Sequence, residues 1–322
     1  MMNAAPRKGI LAALWLPTDA NGNLLTTELA ANLAFLKQSG IHGVLALGST
    51  GEFPQFDLEQ RKRALATIAE LAAPLPVIAN VSDIRPQAVA ELGRFAHQLG
   101  LPAIAVMTPG FYPSSQDDVL AHFLHAADTS ELPTFLYNFP ELTGTRINLE
   151  TVAAFADRAL MAGIKQSGRE FDYHKDLIAL GAEKKFAVFS GSDTRLPEVF
   201  ALGADGCIGG LVNLAPDLMV HLYRICRENG AGDFRAAFEQ LKQIGATIDR
   251  LTFPLNVAAG MEARGLSAGA PKAVVSLRSR EIYAGIVVEL RARFAEWGLP
   301  EIASGLASRG ARGGDSSALR GV

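Results

Sequence analysis

Long hydrophobic runs are missing from this sequence of 322 residues, and so is any surplus of positive charge. No uncharged apolar stretch reaches the roughly 18 residues of a transmembrane helix, so we expect no membrane span. The 30 lysines and arginines are balanced by 33 aspartates and glutamates, which disfavours nucleic acid and anionic membranes as partners. Because 49% of the residues are hydrophobic, disorder of the whole chain is excluded and one large core is expected.

Cysteine is scarce as well. The sequence has Cys207 and Cys226 only, without the C-x-x-C spacing of a zinc or redox site. We expect reduced, buried thiols, which favours a cytoplasmic protein.

The histidines form no metal pattern: His122 and His125 share a predicted helix face without carboxylates beside them, and we expect both at the surface. No dinucleotide-binding glycine motif follows the first apolar run.

What the sequence does contain is a regular alternation of short apolar runs with longer amphipathic stretches. Such alternation is typical of a parallel sheet built from strands and crossover helices. Eight strands are predicted, at residues 10–14, 43–47, 76–80, 103–107, 134–137, 161–164, 186–189 and 206–208. Eight helices are predicted, at residues 27–38, 58–71, 86–99, 116–128, 149–156, 171–180, 196–202 and 216–228.

This pattern predicts an α/β fold, a (β/α)8 TIM barrel, which we assign to residues 1–230. An open doubly wound sheet is the alternative, but it usually carries the missing glycine motif. The strand pattern then stops, so residues 231–302 are predicted to form a C-terminal helical extension. Its predicted helices lie at residues 234–251, 271–275 and 280–294. Residues 303–322 are rich in Gly, Ser, Ala and Arg and predict a disordered tail.

The clearest functional signal is Lys165, which directly follows the apolar strand at residues 161–164. Active sites of TIM barrels lie at the carboxyl ends of the strands, and lysine is rarely buried unless it is paired or functional. Of the nine lysines, Lys165 alone ends a predicted strand; the others lie in the N-terminal arm, on predicted helices or in a charged turn. A desolvated lysine can lose its proton and attack a carbonyl to form a Schiff base. The alternative is a lysine with a buried stem and a solvated ammonium.

Other strand ends also carry polar residues. The motif Gly48-Ser49-Thr50 follows the second strand, where two hydroxyls and their N–H groups can hold an anion or simply begin a helix. Tyr137 ends the fifth strand, where its phenol lies at the barrel mouth or caps the core. The seventh and eighth strands lead into glycine-containing turns that leave room for a ligand or are ordinary connections.

Together these motifs resemble the dihydrodipicolinate synthase / N-acetylneuraminate lyase family of class I aldolases. The resemblance runs from residue 13 to about residue 299 and rests on five motifs in order. They are Gly48-Ser49-Thr50-Gly51-Glu52, Tyr137-Asn138-Phe139-Pro140 followed by Thr143-Gly144, Gly163-Ile164-Lys165-Gln166-Ser167-Gly168, Gly191-Ser192-Asp193, and Gly203-Ala204-Asp205-Gly206 with Asn213 and Pro216. The family implies a TIM barrel with a C-terminal helical region and a homo-oligomer, either a dimer or a tetramer.

The resemblance also implies a mechanism that needs no metal and no organic cofactor. Lys165 would condense with the ketone of pyruvate or another 2-oxo acid, and the protonated imine would act as the electron sink for making or breaking a C–C bond to an aldehyde. Tyr137 would transfer protons together with Thr50, and Ser49 and Thr50 would hold the carboxylate. The other predicted substrate-binding residues are Gly48, Ser167, Gly191, Asp193, Ile208 and Gly210.

Departures from the family pattern narrow the range of substrates that we expect. Leu142 stands where the synthases have an arginine for the second substrate's carboxylate, and Thr194 and Gly210 replace residues expected for sialic acid. Phe111 aligns with an expected partner-subunit tyrosine and Tyr112 is adjacent, so both are predicted inter-subunit residues. We expect a lyase or aldolase with pyruvate as product or donor. The alternatives are 4-hydroxy-tetrahydrodipicolinate synthase, which uses pyruvate and aspartate semialdehyde, and a non-catalytic barrel that binds a 2-oxo acid.

Overall fold

Hydrogen bonds between neighbouring strands close the predicted segments into a parallel barrel in which β1 pairs with both β2 and β8. The structure, a computed structural model, describes residues 4–228, 232–299 and 301–302. The strands are β1 Gly9–Ala13, β2 Gly43–Ala46, β3 Val77–Asn80, β4 Ala103–Met107, β5 Thr134–Asn138, β6 Met161–Gln166, β7 Ala187–Ser190 and β8 Gly206–Gly209. The predicted (β/α)8 barrel is confirmed, and the open-sheet alternative is wrong.

Helices connect the strands and cover the outside of the barrel. They are α1 Thr26–Gln38, α2 Leu58–Ala72, α3 Pro86–Gln98, α4 Gln116–Ser130, the short α5 Pro140–Thr143, α6 Leu149–Arg158, α7 Tyr173–Lys184, α8 Leu196–Leu202 and α9 Pro216–Arg227. The sequence starts several of them with polar caps: Asp57 and Gln60 form a reciprocal capping box on α2, and the Ser115 side chain caps α4. These caps satisfy N–H groups that the first turn of a helix leaves free.

Side chains fill the interior of the barrel. Leu11, Ile78, Phe135 and Phe189 are buried there, and the two phenylalanine rings meet edge to face with centroids 5.9 Å apart. Gly163 makes room for them, since a Cβ at this position would lie 2.6 Å from the Phe135 ring. A second and larger apolar layer lies between strands and helices. Because both faces of each strand are buried, the strands have nearly continuous apolar sequences and are predictable from them.

Three further helices follow the barrel and share its core: α10 Phe234–Ile248, α11 Leu255–Ala263 and α12 Leu277–Glu296. The sequence does not predict α11, because this helix is buried on nearly all sides and shows no amphipathic period. The helix predicted at residues 271–275 is wrong. That segment is a loop, which begins at a proline and contains adjacent β-branched valines.

The division of the chain near residue 230 stays a prediction. The predicted tail at residues 303–322 lies outside the described residues. In the part of the chain that the structure describes, none of the helices is both long and apolar enough to cross a membrane.

Candidate active site

Lys165 is placed by the register of β6. Its Cα pairs with that of Tyr137 on β5 and with that of Phe189 on β7, so the side chain lies in the barrel interior near the carboxyl ends of the strands. Strand β6 extends to Gln166, two residues beyond its predicted end, so Lys165 lies within the strand. The residue is only 5% exposed, and its Nζ donates a hydrogen bond of 3.0 Å to the Tyr137 hydroxyl. The lysine is therefore both buried and in contact with the phenol.

The Tyr137 hydroxyl has a second partner, Ser49. Its oxygen lies 2.6 Å from Ser49 Oγ, and either group can donate this hydrogen bond. Three side chains from three parts of the barrel thus form one continuous chain that ends at the Lys165 amine. Thr50 is buried beside it and lines the same cavity, but the phenol's partner on this turn is Ser49.

The turn after β2 presents Ser49 and Thr50 through an unusual backbone. Leu47 at its start and Glu52 at its end both have left-handed conformations, with φ of 57° and 56°. Gly51 is required between them, since a Cβ there would lie 2.8 Å from the Leu14 carbonyl oxygen. The turn therefore packs closely against Leu14, the residue that follows β1, and cannot move closer to it.

Glycine also makes room beside the lysine. A Cβ on Gly191 would lie 2.0 Å from Ser167 Oγ and 3.3 Å from Lys165 Cε. Asp193, two residues further on, accepts a hydrogen bond of 3.1 Å from the Leu211 N–H. Burial raises the pKa of the Asp193 carboxyl above its usual range, while that N–H and the nearby Lys165 charge oppose the shift.

These side chains line a cavity of about 350 Å³ at the barrel mouth. The predicted site residues that line it are Ser49, Thr50, Tyr137, Lys165, Ser167, Gly191, Asp193, Ile208 and Gly210. Gly48 lies in the same turn but is not among the lining residues. Four further lining residues are not predicted from the sequence: Phe139, which follows β5, and Asp249, Phe253 and Asn256, which the C-terminal region supplies. Since α11 carries no periodic signal, its contribution to the site is not visible in the sequence.

Phe111 and Tyr112 lie outside this cavity. They are 87% and 68% exposed, and their rings contact each other edge to face. Leu142 is also exposed and does not line the cavity. The inter-subunit role of Phe111 and Tyr112 stays a prediction.

A second lysine, Lys272, is more deeply buried than the sequence suggests. The prediction that it lies on a helix is wrong: it lies in the loop before α12. Its side chain is only 3% exposed and forms an ion pair of 2.9 Å with Glu52. Burial lowers the pKa of the Lys272 amine, and the Glu52 carboxylate opposes that shift. Lys272 is not among the residues that line the cavity around Lys165.

The expectation that His122 lies at the surface is wrong. The residue is half-buried on α4, and burial lowers its pKa to about 4. His125 is half-buried too, with Nε2 3.0 Å from the Pro86 carbonyl oxygen.

Both cysteines are free, Cys207 buried and Cys226 half-buried. Across the described ranges, no group of three or more His, Cys, Asp or Glu residues is arranged to hold a metal ion.

The family model described as the dihydrodipicolinate synthetase family matches residues 6–287. The chain belongs to this family. Among the curated relatives, the 4-hydroxy-tetrahydrodipicolinate synthase of Pseudomonas syringae pv. syringae is 30% identical over 259 residues, which cover 80% of this chain and 88% of that protein. An uncharacterized DapA-like lyase of Halobacterium salinarum is 28% identical over 262 residues, which cover 81% of this chain and 86% of its own length.

Solved structures of the family superpose closely. YagE, a prophage protein of the dihydrodipicolinic acid synthase family from E. coli K12 solved in complex with pyruvate, has a TM-score of 0.83 at 26% identity, covering 92% of this chain and 100% of its own. CdNal of Clostridium difficile, solved with mannosamine, also has a TM-score of 0.83 and covers 90% of this chain and 100% of its own. At 19% identity the second likeness shows the fold. The prediction of a lyase of this family is confirmed.

Proposed function

We propose that this family member forms a Schiff base between Lys165 and a 2-oxo acid, and that it cleaves or makes a C–C bond with pyruvate as product or donor. The observation that carries the proposal is the environment of the Lys165 amine: it is buried, it opens into the cavity, and it contacts the Tyr137 hydroxyl at 3.0 Å. A buried amine beside a proton-transferring group is the arrangement that imine formation requires. The pyruvate in the YagE complex supports the same class of substrate.

The hydrogen-bonded chain suits the proton transfers of this reaction. The neutral Lys165 amine attacks the ketone carbon, and the resulting carbinolamine loses water to give an imine. Tyr137 can protonate the departing hydroxyl group and regain a proton through Ser49, since its oxygen contacts both neighbours. The protonated imine then accepts the electron pair of the bond between C3 and C4 of the substrate, while the C4 hydroxyl returns a proton to the Tyr137–Ser49 pair that donated one to the departing water; the products are an enamine and an aldehyde. Protonation of the enamine at C3 and hydrolysis of the imine release pyruvate and the free Lys165 amine. Condensation is the reverse of these steps.

Backbone N–H groups of the turn after β2 support binding of the substrate carboxylate. The N–H groups of Gly51, Glu52 and Phe53 bond to carbonyl oxygens within the turn. Among the described residues, the N–H groups of Ser49 and Thr50 have no such partner. Two free N–H donors with adjacent hydroxyls form a concave anion site, as a carboxylate beside the ketone requires.

The remaining residues that line the cavity limit which aldehyde can bind as the second substrate. Apart from Lys165, the lining residues include one cation, Arg195, and this guanidinium is paired with Glu198. Uncharged polar side chains and the Asp249 carboxylate complete that side of the cavity. This composition favours a short, hydroxylated aldehyde over one with a second carboxylate, because the wall carries two carboxyl groups, Asp193 and Asp249, against one cation that is already paired.

The second candidate is 4-hydroxy-tetrahydrodipicolinate synthase. Several curated relatives at 27–31% identity carry this name, which supports it. Against it, the side chain at position 142 is an exposed leucine that does not line the cavity. A panel of aldehydes that includes aspartate semialdehyde, incubated with pyruvate and analysed by mass spectrometry, distinguishes the two candidates.

The exposed aromatic pair supports assembly of this chain into a homo-oligomer. Phe111 and Tyr112 together present two large apolar side chains to solvent, and Ile84 and Leu142 are also exposed. Exposed apolar side chains of this size are common at protein interfaces. In a dimer or tetramer, a second copy of the chain would cover Phe111 and Tyr112, which explains why these two apolar side chains are exposed in the single chain.

Borohydride trapping tests the proposed chemistry. Reduction in the presence of pyruvate should add the mass of the reduced adduct to the peptide that contains Lys165, and Lys165→Met should abolish the adduct. The peptide that contains Lys272 serves as the internal control, because its amine is buried but ion-paired. Adduct on Lys272 alone, or no adduct with any of several 2-oxo acids, contradicts the proposal. If Lys165→Met still binds pyruvate with unchanged affinity and the wild type shows no turnover, the chain is a binding protein instead.

A further inference from the structure

A buried ion pair connects the loop before α12 to the turn after β2. Lys272 Nζ lies 2.9 Å from Glu52 Oε2, and the two side chains are only 3% and 15% exposed. The same ammonium lies 4.4 Å from the centre of the Trp15 ring, which adds a cation–π contact. Burying two charges is costly unless their geometry is good, so a buried pair is weak evidence for stability, and a role in holding a specific arrangement is the hypothesis to test.

The ion pair is one end of a longer chain of contacts. The N–H of Glu52 donates a hydrogen bond of 3.0 Å to the carbonyl oxygen of Ser49. Ser49 Oγ lies 2.6 Å from the Tyr137 hydroxyl, and that hydroxyl lies 3.0 Å from Lys165 Nζ. A series of polar contacts, joined through the covalent structure of Glu52 and Ser49, therefore runs from Lys272 to the amine of Lys165.

The turn in the middle of this series needs external support. Glu52 has a φ of 56°, a left-handed conformation that is disfavoured for a residue with a side chain. The contact of Gly51 with the Leu14 carbonyl blocks movement on one side of the turn. On the other side, the Glu52 carboxylate is held by Lys272. Without its partner, this carboxylate would be a buried and uncompensated charge, which is strongly unfavourable.

We propose that Lys272 is a positioning residue: its ion pair with Glu52 holds the turn that sets Ser49 against Tyr137. Lys272 acts through this turn and does not line the cavity around Lys165. The kinetic consequence rests on the proposed function, because it concerns the rate of imine formation. The structural consequence, a displaced Ser49, does not depend on any reaction.

Lys272→Met is the test, since it keeps a long apolar stem and removes the charge. In its crystal structure we expect the Glu52 carboxylate to turn toward solvent and Ser49 Oγ to leave hydrogen-bond reach of Tyr137. In borohydride trapping with pyruvate, we expect the maximal rate of adduct formation to fall by about tenfold to a hundredfold, with a smaller change in the pyruvate concentration at half-maximal rate. Lys272→Arg restores the charge and should recover part of the rate.

Two controls separate positioning from general destabilisation. Lys184→Met removes a lysine–carboxylate pair with Asp157 on the outer helices and should leave the trapping rate unchanged. The double variant Glu52→Gln/Lys272→Met removes the uncompensated charge, so we expect its trapping rate to be no lower than that of Lys272→Met. If Lys272→Met does not fold, Glu52→Gln, which weakens the same ion pair, carries the crystallographic and kinetic comparison.

The outcomes decide the proposal in each case. An unchanged contact between Ser49 and Tyr137 in the variant structure overturns it, whether or not the wild type reacts with pyruvate. A lower melting temperature with an unchanged trapping rate and pH profile also overturns it, since that result assigns Lys272 a merely structural role. A wild type that fails to trap any 2-oxo acid refutes the proposed function alone, and the variant structure then decides the role of Lys272.

Discussion

Tyr137 and Lys165 face each other across the paired strands β5 and β6, with their Cα atoms in register and the phenol oxygen 3.0 Å from the amine. Strand pairing therefore fixes the relation between the two groups, and loop movement cannot separate them. The third member of the series, Ser49, comes from a turn, so it is the part of the site that needs separate support.

Removing the phenol oxygen should disable proton transfer while leaving the barrel intact. For Tyr137→Phe we expect adduct formation with pyruvate to slow by about a hundredfold or more, because a positioned acid–base group contributes about 10²–10⁴-fold. Rapid-quench borohydride trapping measures this rate. Tyr173→Phe is a matched control, since it removes a buried phenol that bonds to the Ile147 carbonyl and leaves the cavity untouched. Equal rates in wild type and Tyr137→Phe would exclude the proton-transfer role.

Adding one methyl group at Gly191 should close the space beside the lysine. In Gly191→Ala the new Cβ would meet Ser167 Oγ at 2.0 Å and Lys165 Cε at 3.3 Å, so we expect a loss of adduct formation of about a hundredfold. The cost in unfolding free energy should be about 1–3 kcal/mol, as is typical of overpacking. Gly285→Ala is the control: apart from the backbone of its own helix and its chain neighbours, no described atom lies within 4 Å of an added Cβ, and this helical position should gain about 0.4–1 kcal/mol without a change in activity. Full activity in Gly191→Ala would contradict the packing argument.

His122 should make the protein less stable in mild acid. Burial lowers its pKa from 6.5 to about 4, so between these values the unfolded chain binds more protons than the folded one. The stabilisation is complete above pH 6.5 and is lost as the pH falls toward 4, by about 3 kcal/mol at the lower end.

Urea unfolding of wild type and His122→Gln across this range measures the effect as a difference between the two proteins. The lowered pKa values of His42 and His174 act in the same direction, but they are present in both proteins and cancel in that difference. Parallel stability curves for the two proteins would show that His122 is not responsible.

Charge on the exposed aromatic pair should disrupt assembly. We expect light scattering of the wild type to give a multiple of the 34.2 kDa chain mass, and Phe111→Asp/Tyr112→Asp to give a smaller one. Leu160→Asp changes another exposed apolar side chain and serves as the control. The same assembly in the double variant and the wild type would place the interface elsewhere.

The sequence predicts those parts of the molecule whose contacts are local in the chain. It also predicts contacts that follow from the order and pairing of the strands. Eight apolar runs predict the barrel because both faces of each strand are buried. Lys165 is recognisable because it directly follows an apolar strand sequence, and a lysine buried at such a position is normally paired or functional. Most of the predicted site residues then meet at the barrel mouth, because the carboxyl ends of parallel strands share one end.

The remaining features depend on contacts that no local pattern encodes. Helix α11 has no polar face to reveal its period, so its contribution of Asn256 to the cavity is invisible. The short stretch around Lys272 begins at a proline and contains two valines, and the chain before it is held to the N-terminal segment, where the N–H of Ala270 bonds to the Thr18 carbonyl. Ser49, and not Thr50, is the phenol's partner, and it lies in a turn that starts with a left-handed backbone at Leu47, a conformation that no sequence pattern reveals.

Among the described residues, the buried rings of Phe135 and Phe189 fill the barrel interior, and the cavity that Lys165 lines opens at the barrel mouth. A 2-oxo acid bound at the bottom has to arrive before the aldehyde and depart after it. For the proposed lyase this sequence of events requires ordered kinetics, in which pyruvate inhibits cleavage competitively and the aldehyde does not.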